Sequence, residues 1–410
     1  MPRDERTLVR PGTVERRARL AVAGLFFANG FTYANLVPWL PTIKDRLDLS
    51  NAALGSAIAV MPLGALLLGM LAGPLIARLG SGRSAVITSI AACWVLPLIA
   101  LAPNWLGLAA ALFCLGALDA WTDSAMNAHG LRVQRRYGRS IINAFHALWS
   151  LSAVSGGLIG AAMAGLGAPI AAHLTGVAVL LTAVGLIAGR FLLAGPDHSE
   201  RADGSEHTSR ADIARVLRGA AGVLLALGVL LMLAGAVEDS AASWGAVFAR
   251  DELAASAFLA GLPFVACQAL MTLGRLTGDR LTDRFGAVAV TRTGALVAAA
   301  GMGAAVLLPM PATAILGFGL AGFGVATLFP LGLAAAGNVP GVRSGDGVTI
   351  VAWLARAGFL CFPPLVGVIA DASSLRVGLA LIPAAALVAA VLVRSLRPRT
   401  AAAAGDEARA

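Results

Sequence analysis

Charge is scarce in this chain. Asp, Glu, Lys and Arg make up 13% of the 410 residues, against 58% hydrophobic residues and a mean hydropathy of +0.81. An ordinary soluble domain carries roughly a quarter charged residues, so there is too little polar surface here to face water. Lysine occurs once, as Lys44. An ATP-driven pump needs Gly-x-x-x-x-Gly-Lys-Ser/Thr to cradle phosphate, and the sequence around Lys44 does not supply it. Neither Gly-x-Ser-x-Gly nor His-Glu-x-x-His is present, which leaves an embedded hydrolase without a nucleophile or a metal site. No enzyme, cofactor or metal is therefore expected. The four cysteines, Cys93, Cys114, Cys267 and Cys361, show no Cys-x-x-Cys spacing. All fall in apolar runs, where they are expected to pack.

What is present is a series of twelve apolar runs of about 20 residues, the length that crosses a hydrocarbon core of about 30 Å. Helices are expected over residues 20–40, 53–73, 84–103, 105–127, 141–164, 169–194, 219–244, 254–274, 288–309, 312–337, 347–370 and 375–394. The fold class is an all-α membrane protein. An even count returns both termini to one side. The tail 1–19 holds Arg3, Arg6, Arg10, Arg16, Arg17 and Arg19. The run after it is too long for a signal peptide and lacks a small-residue cleavage site, so it is read as the first membrane helix. With this tail in the cytoplasm, Lys44, Arg46, Arg250 and Arg376 fall outside and Arg356 falls within the membrane. Every other basic residue faces the cytoplasm, as the positive-inside rule requires. A net charge of +9 spread over short loops, rather than gathered on one soluble face, argues against a nucleic-acid partner.

The polar stretch from Pro196 to Arg218 interrupts the apolar pattern near the middle of the chain. It is read as a cytoplasmic linker, 195–218, joining six-helix bundles at 20–194 and 219–394, with a cytoplasmic tail at 395–410. The two halves resemble each other at a nearly constant offset. Trp39 and Trp244 are 205 apart, as are Leu54 and Leu259, and GPLIARLG at 73–80 faces DRLTDRFG at 279–286 one residue further out. A parallel duplication of six helices is associated with transporters whose substrate site lies at mid-membrane.

The same loops carry a resemblance. A Gly-x-x-x-Asp-Arg-x-Gly-Arg type motif between helices 2 and 3, echoed between helices 8 and 9, resembles the signature of the major facilitator superfamily. The first copy keeps Gly73, Arg78, Gly80 and Arg83 with Ala77 at the acid position; the second has Asp279 and keeps Asp283, Arg284 and Gly286. The stretches NGFTYANLVPWLPTIKDRLDLSNAALG and DSAMNAHGLRVQRRYGRSIINAFHALWSLSAVSGG are similar to a bacterial subgroup typified by the inner-membrane protein YbjJ. The resemblance implies a secondary transporter of a small solute in the cytoplasmic membrane of a bacterium, its direction open; a monomer is expected, and the acids described below make protons the expected coupling ion. It also implies that these loops brace the cytoplasmic gate and that helices 1, 4, 7 and 10 line a central cavity. The Gly-Pro that precedes a Gly pair in drug/proton antiporters is not met, since Gly156 and Gly157 follow SAVS.

Charged side chains at a helix centre cost roughly 2.5 to 3.5 kcal/mol on insertion scales, so those that occur there are candidates for function. Asp119 and Asp123 stand i, i+4 on helix 4 with Asn127 at i+8, one polar stripe on an apolar helix. Asp119 is expected about 22 Å from the helix start and Asp123 near the cytoplasmic surface. Glu238 and Asp239 are expected toward the outer end of helix 7, followed by Ser240, Ser243 and Trp244. At the 205-residue offset Glu238 corresponds to Tyr33, one turn from Asn29. An acid in such a cavity couples proton binding to conformation. Arg356, about 14 Å along helix 11, needs an acid, a carbonyl, water or an anionic substrate, or else snorkels to the gate. His146 in helix 5 is either a titrating group or a hydrogen-bonded packing residue. A transporter-like sensor that binds a ligand without moving it is the rival reading. If the orientation is right, tags on both termini will react only from the cytoplasmic side; tags reacting from opposite sides would end it.

Overall fold

The computed structural model describes residues 12–195, 210–340, 342 and 344–396, with only the backbone given for 210–219 and 344–345. The tail 1–11, most of the expected linker and the tail 397–410 lie outside the described residues. Among the described residues every regular element is helical, and twelve helices are long and apolar enough to span a membrane. They are α1 (Thr13–Arg46), α2 (Asn51–Leu79), α3 (Ser81–Ala100), α4 (Trp105–Tyr137), α5 (Ile142–Gly165), α6 (Ile170–Gly189), α7 (Arg210–Asp251), α8 (Ala257–Phe285), α9 (Ala287–Leu307), α10 (Pro311–Gly337), α11 (Ser344–Ala372) and α12 (Leu375–Leu396). Their form follows from the solvent: in hydrocarbon each amide must bond within its own segment. Large apolar side chains such as Leu98, Leu180, Leu316 and Val391 remain more than half exposed on the outside, as a lipid-facing surface requires.

Several helices run past the expected ends. α4 continues ten residues beyond Asn127, so Asp123 is not a helix-end acid. α7 runs from Arg210 to Asp251, which places Glu238 some 20 Å from its C-terminal end at about 1.5 Å per residue. Two cysteines also depart from expectation: Cys93 and Cys267 are buried, but Cys114 and Cys361 are exposed. In a lipid-facing wall a small apolar thiol needs no protein partner.

The duplication is visible in the backbone. Gly80 (φ 81°, ψ 153°) and Gly286 (φ 82°, ψ 153°) take the same left-handed conformation at the α2–α3 and α8–α9 turns. Each donates its N–H to the carbonyl four residues back at 2.8 Å, Ile76 and Thr282 respectively. Asp48 and Ala254 share φ 48°, and Ser50 and Ser256 cap the following helices, their hydroxyls accepting from Ala53 N at 3.1 Å and Leu259 N at 3.4 Å. This sets the register of these turns at 206, so Leu54 pairs with buried Ala260 rather than with Leu259.

The chain forms two compact units. Unit 1 comprises residues up to Leu36, Leu63–Gly156 and Ala168–Asp203. Its core gathers Val22, Leu25, Phe26, Met126, Val133 and Phe145, with Phe26 stacked on Phe145 at 5.3 Å. Unit 2 comprises Val37–Pro62, Gly157–Gly167 and Gly204 onward, around fully buried Trp244, Phe248, Phe264 and Phe318. In unit 2 the C-terminal part of α1 reaches α7 through Lys44 Nζ to Asp251 Oδ2 at 2.5 Å. The Asp371 carboxylate of α11 accepts the N–H groups of Asn51 and Ala52, both at 2.8 Å, and so caps α2.

Close backbone approach binds α8, α9 and α10. A side chain at Gly294 would strike the carbonyl of Gly324, one at Gly317 the carbonyl of Gly301, and one at Gly322 the carbonyl of Cys267. Small residues at such crossings are the usual packing device in membranes, where no hydrophobic force drives helices together. Gly324→Val should therefore lower the thermal midpoint of the purified protein by the equivalent of about 1–3 kcal/mol. Gly303→Val, at a position with nothing within 4 Å, should leave it unmoved. Equal midpoints would remove the close-packing account.

Candidate functional site

Unit 1 holds a polar chain between otherwise apolar helices. Asn29 of α1 donates from Nδ2 to Asp119 Oδ1 of α4 at 2.7 Å, and Trp149 of α5 donates its indole N–H to Asn29 Oδ1, also at 2.7 Å. The approach of α1 to α5 depends on Gly30, where an added side chain would meet the Trp149 carbonyl and the Ser152 hydroxyl. One turn along α4, Asn127 Nδ2 donates to Asp123 Oδ1 at 2.9 Å, and Asn127 Oδ1 faces His146 Nε2 of α5 at 3.1 Å. An amide oxygen only accepts, so this His146 nitrogen carries the proton. The His146 ring stands edge-on to Phe26 at 5.1 Å. Two acids one turn apart are thus each joined through an amide to one face of α5, since His146 and Trp149 are i, i+3.

The halves of this chain differ in exposure: Asp119, Asn29 and Trp149 are partly buried, whereas Asp123 and His146 are exposed. The expected stripe of Asp119, Asp123 and Asn127 is brought together with Asn29 and His146. Tyr33 lies half-buried one turn from Asn29. Trp149 was missed as a participant. An indole N–H buried in an apolar helix must find an acceptor, and this is the signal that points to it.

Unit 2 offers a second polar cluster. Arg275 of α8 reaches back to Glu238 of α7, Nη2 to Oε1, at 3.3 Å. Asp239 stands beside it with Oδ2 buried and no hydrogen-bond partner among the described residues. The buried hydroxyls of Ser240 and Ser243 and the indole N–H of Trp244 likewise lack partners there. Trp244 is fully enclosed, its ring against Gly55, so it packs within this unit. Arg356 is exposed on α11 and makes no ion pair among the described residues.

The family follows from comparison with known proteins. A model described as Major Facilitator Superfamily matches residues 22–321 and 239–410. This chain belongs to the major facilitator superfamily. It is 30% identical over 389 residues, 95% of this chain and 97% of the other, to an uncharacterised transporter of the superfamily from Yersinia pestis. Its fold is similar to the nucleoside transporter NupG, with a TM-score of 0.73 at 14% identity over 93% of this chain and 100% of that one. It is equally similar to a bacterial homologue of the human lysosomal transporter Spinster, with a TM-score of 0.73 at 15% identity over 94% and 98%. The protein is accordingly a membrane transporter of small molecules.

The loops around the two matched glycine turns differ in charge. Arg78 and Arg83 are exposed in unit 1, and Asp283 and Arg284 are exposed in unit 2, with the Arg284 guanidinium 5.3 Å from the Phe285 ring. Gly73 has nothing within 4 Å of where a side chain would stand. Asp279 belongs to the same turn of α8 as Arg275 by its i, i+4 spacing.

The Glu238 and Arg275 pair is partly exposed, so its net contribution is on the order of 1 kcal/mol at most. Arg275→Gln leaves Glu238 without its partner and should lower the thermal midpoint more than the Glu238→Gln/Arg275→Gln double substitution does. A double variant as unstable as the sum of the singles would show that the pair does not couple.

Proposed function

We propose that this transporter moves its solute by alternating access, coupled to protons carried by Asp119 together with the acids of α7. The observation that carries the proposal is the Trp149, Asn29 and Asp119 chain. It sets a carboxylate near the middle of a 33-residue helix and ties it to two neighbouring helices. Protonation of Asp119 would weaken the bond it accepts from the Asn29 amide, since a neutral carboxyl is a poorer acceptor than a carboxylate, and this links proton binding to the packing of α1 against α5. Asp123, Asn127 and His146 provide the exposed relay to that acid. In unit 2 Glu238 is answered by Arg275, so Asp239, whose buried oxygen lacks a donor, is the better second carrier.

The reading of alternating access is supported by where the compact units divide. The borders at 36/37, 62/63 and 156/157 cut α1, α2 and α5 at a 3-10 turn (Val37–Trp39), at Pro62 and at the Gly156, Gly157 pair. These are the places where a helix bends most readily. The unit 2 parts of α1 and α2 join α7 and α11 through Lys44 with Asp251 and through the cap that Asp371 places on α2, a seam made by charge-assisted bonds. We read the protein as a monomer of two six-helix halves, 20–194 and 219–394, joined by a cytoplasmic linker in a bacterial inner membrane. Arg356, exposed and without an ion pair among the described residues, is the residue proposed to meet substrate.

Reconstituted Asp119→Asn protein should lose accumulation driven by a pH gradient while retaining counterflow exchange, because exchange requires the conformational cycle but no net proton release. Wild-type binding without counterflow would favour a sensor over a carrier. If Asp119→Asn and the Glu238→Gln/Asp239→Asn double variant both still concentrate substrate, these acids do not carry the proton.

A further inference from the structure

Within residues 239–244 of α7, four polar side-chain atoms are buried and bond to nothing among the described residues: Asp239 Oδ2, Ser240 Oγ, Ser243 Oγ and Trp244 Nε1. Buried helical hydroxyls elsewhere turn back to their own backbone, Thr32 to the Ala28 carbonyl and Thr291 to that of Ala287 at 2.7 Å, Thr88 to that of Ser84 and Thr122 to that of Leu118 at 2.8 Å. This local bond satisfies a hydroxyl inside a membrane helix. Ser240 and Ser243, both fully buried, do not make it, and their oxygens are left for another partner. Asp239 is in the same position. Arg275 is engaged by Glu238 at 3.3 Å, and Asp239 has no ion pair among the described residues. A buried carboxylate is kept by a paired charge or by a metal. Asp239 lies about 28 Å along α7 from Ala220 and about 18 Å from Asp251 at about 1.5 Å per residue, so the cluster sits within the span, remote from both helix ends.

α11 supplies the adjoining wall. A side chain at Gly228 would meet Leu354, and one at Gly358 would meet the Met232 carbonyl and the Ala236 nitrogen. The contacts advance together along both helices, so the two run in the same direction. Asp239 and Ser243 continue the stripe begun by Met232 and Ala236, at i+7 and i+11 from Met232. Beyond Gly358, α11 carries Pro363 and Pro364 inside the helix. Proline has no N–H, so the carbonyls of Phe359 and Leu360 cannot receive the usual helical bond. A side chain at Gly55 would meet both the Pro363 carbonyl and the Trp244 ring, which sets this turn of α11 beside residues 239–244 of α7. A carboxylate, two hydroxyls and two freed carbonyls thus belong to adjoining turns. All are hard oxygen ligands, and the carboxylate is the one charge among them. A proton would satisfy a single oxygen, whereas a hard monovalent cation draws on the whole set. Carbonyls released in an interrupted membrane helix suit sodium, and a divalent ion would leave excess charge in the hydrocarbon.

We propose that Asp239, Ser240 and Ser243 of α7, with the proline-freed carbonyls of α11, form a sodium site. The indole N–H of Trp244 cannot bind a cation and donates instead to a water that the ion retains. The proposal rests on the reading of Asp239 as the second ion carrier and names sodium as an ion that competes with the proton for its carboxylate.

The test is the thermal midpoint of the purified full-length protein in sodium chloride against potassium chloride at equal concentration. Sodium should raise the wild-type midpoint saturably, because a ligand bound only by the folded state stabilises it. Asp239→Asn should abolish the difference between the two salts. Ser243→Ala should raise the half-saturating sodium concentration by about tenfold. It should leave the midpoint in potassium no lower than wild type, since the hydroxyl removed has no protein partner and its loss strands nothing; a purely structural serine would lower both midpoints alike. Equal wild-type midpoints in the two salts, or an equal sodium shift in wild type and Asp239→Asn, would overturn the sodium site. Neither result touches the proton reading, which is decided separately by pH-driven accumulation in Asp119→Asn.

Discussion

A polar group inside a bilayer has no water to bond to, and nearly every feature of this protein answers that constraint. The backbone answers it by staying helical across twelve spans. Side chains answer it mostly by being apolar, with 58% of the sequence hydrophobic. Several of the exceptions bond to one another: Trp149 to Asn29 to Asp119, His146 to Asn127 to Asp123, and Arg275 to Glu238. Each such group is costly unless satisfied, so the network and the positions of the helices that carry it specify each other. Displacing α1 from α5 would strand the Trp149 indole as surely as it would strand Asp119.

The same constraint explains how glycine is used. Where helices must touch closely without a hydrophobic force between them, the backbones approach at Gly294 with Gly324 and at Gly301 with Gly317. Where an amide appears on α1, Gly30 next to it admits the neighbouring helix. Where the chain must reverse, Gly80 and Gly286 take the same positive φ in both copies of the repeat. Packing and connection therefore rest on one residue type for two physical reasons, the missing side chain in the first case and the permitted left-handed backbone in the second.

Much of this was legible in the sequence because hydropathy and the solvent constraint are the same physics. The twelve spans, the duplication and the polar stripe of Asp119, Asp123 and Asn127 could be read from spacing alone. Helix ends could not, since hydropathy falls where charges begin while backbone bonding continues, as in α4 to Tyr137 and α8 to Phe285. That error concealed Arg275: a helix ended at 274 leaves it in a loop, although one continued to 285 lets it reach Glu238. The partnership of Trp149 with Asn29 was hidden for another reason. Contacts across 120 positions of sequence leave no trace in local periodicity.

The single lysine has a chemical consequence. Lys44, the only side-chain amine in the chain, is 14% exposed and engaged with Asp251 where α1 meets α7. Amine-directed reagents that label most proteins at many places have here one internal target, and their rate of reaction depends on whether that ammonium is held by its carboxylate. The protein thus contains one natural attachment point for a fluorophore or a crosslinker, located on the seam between those two helices.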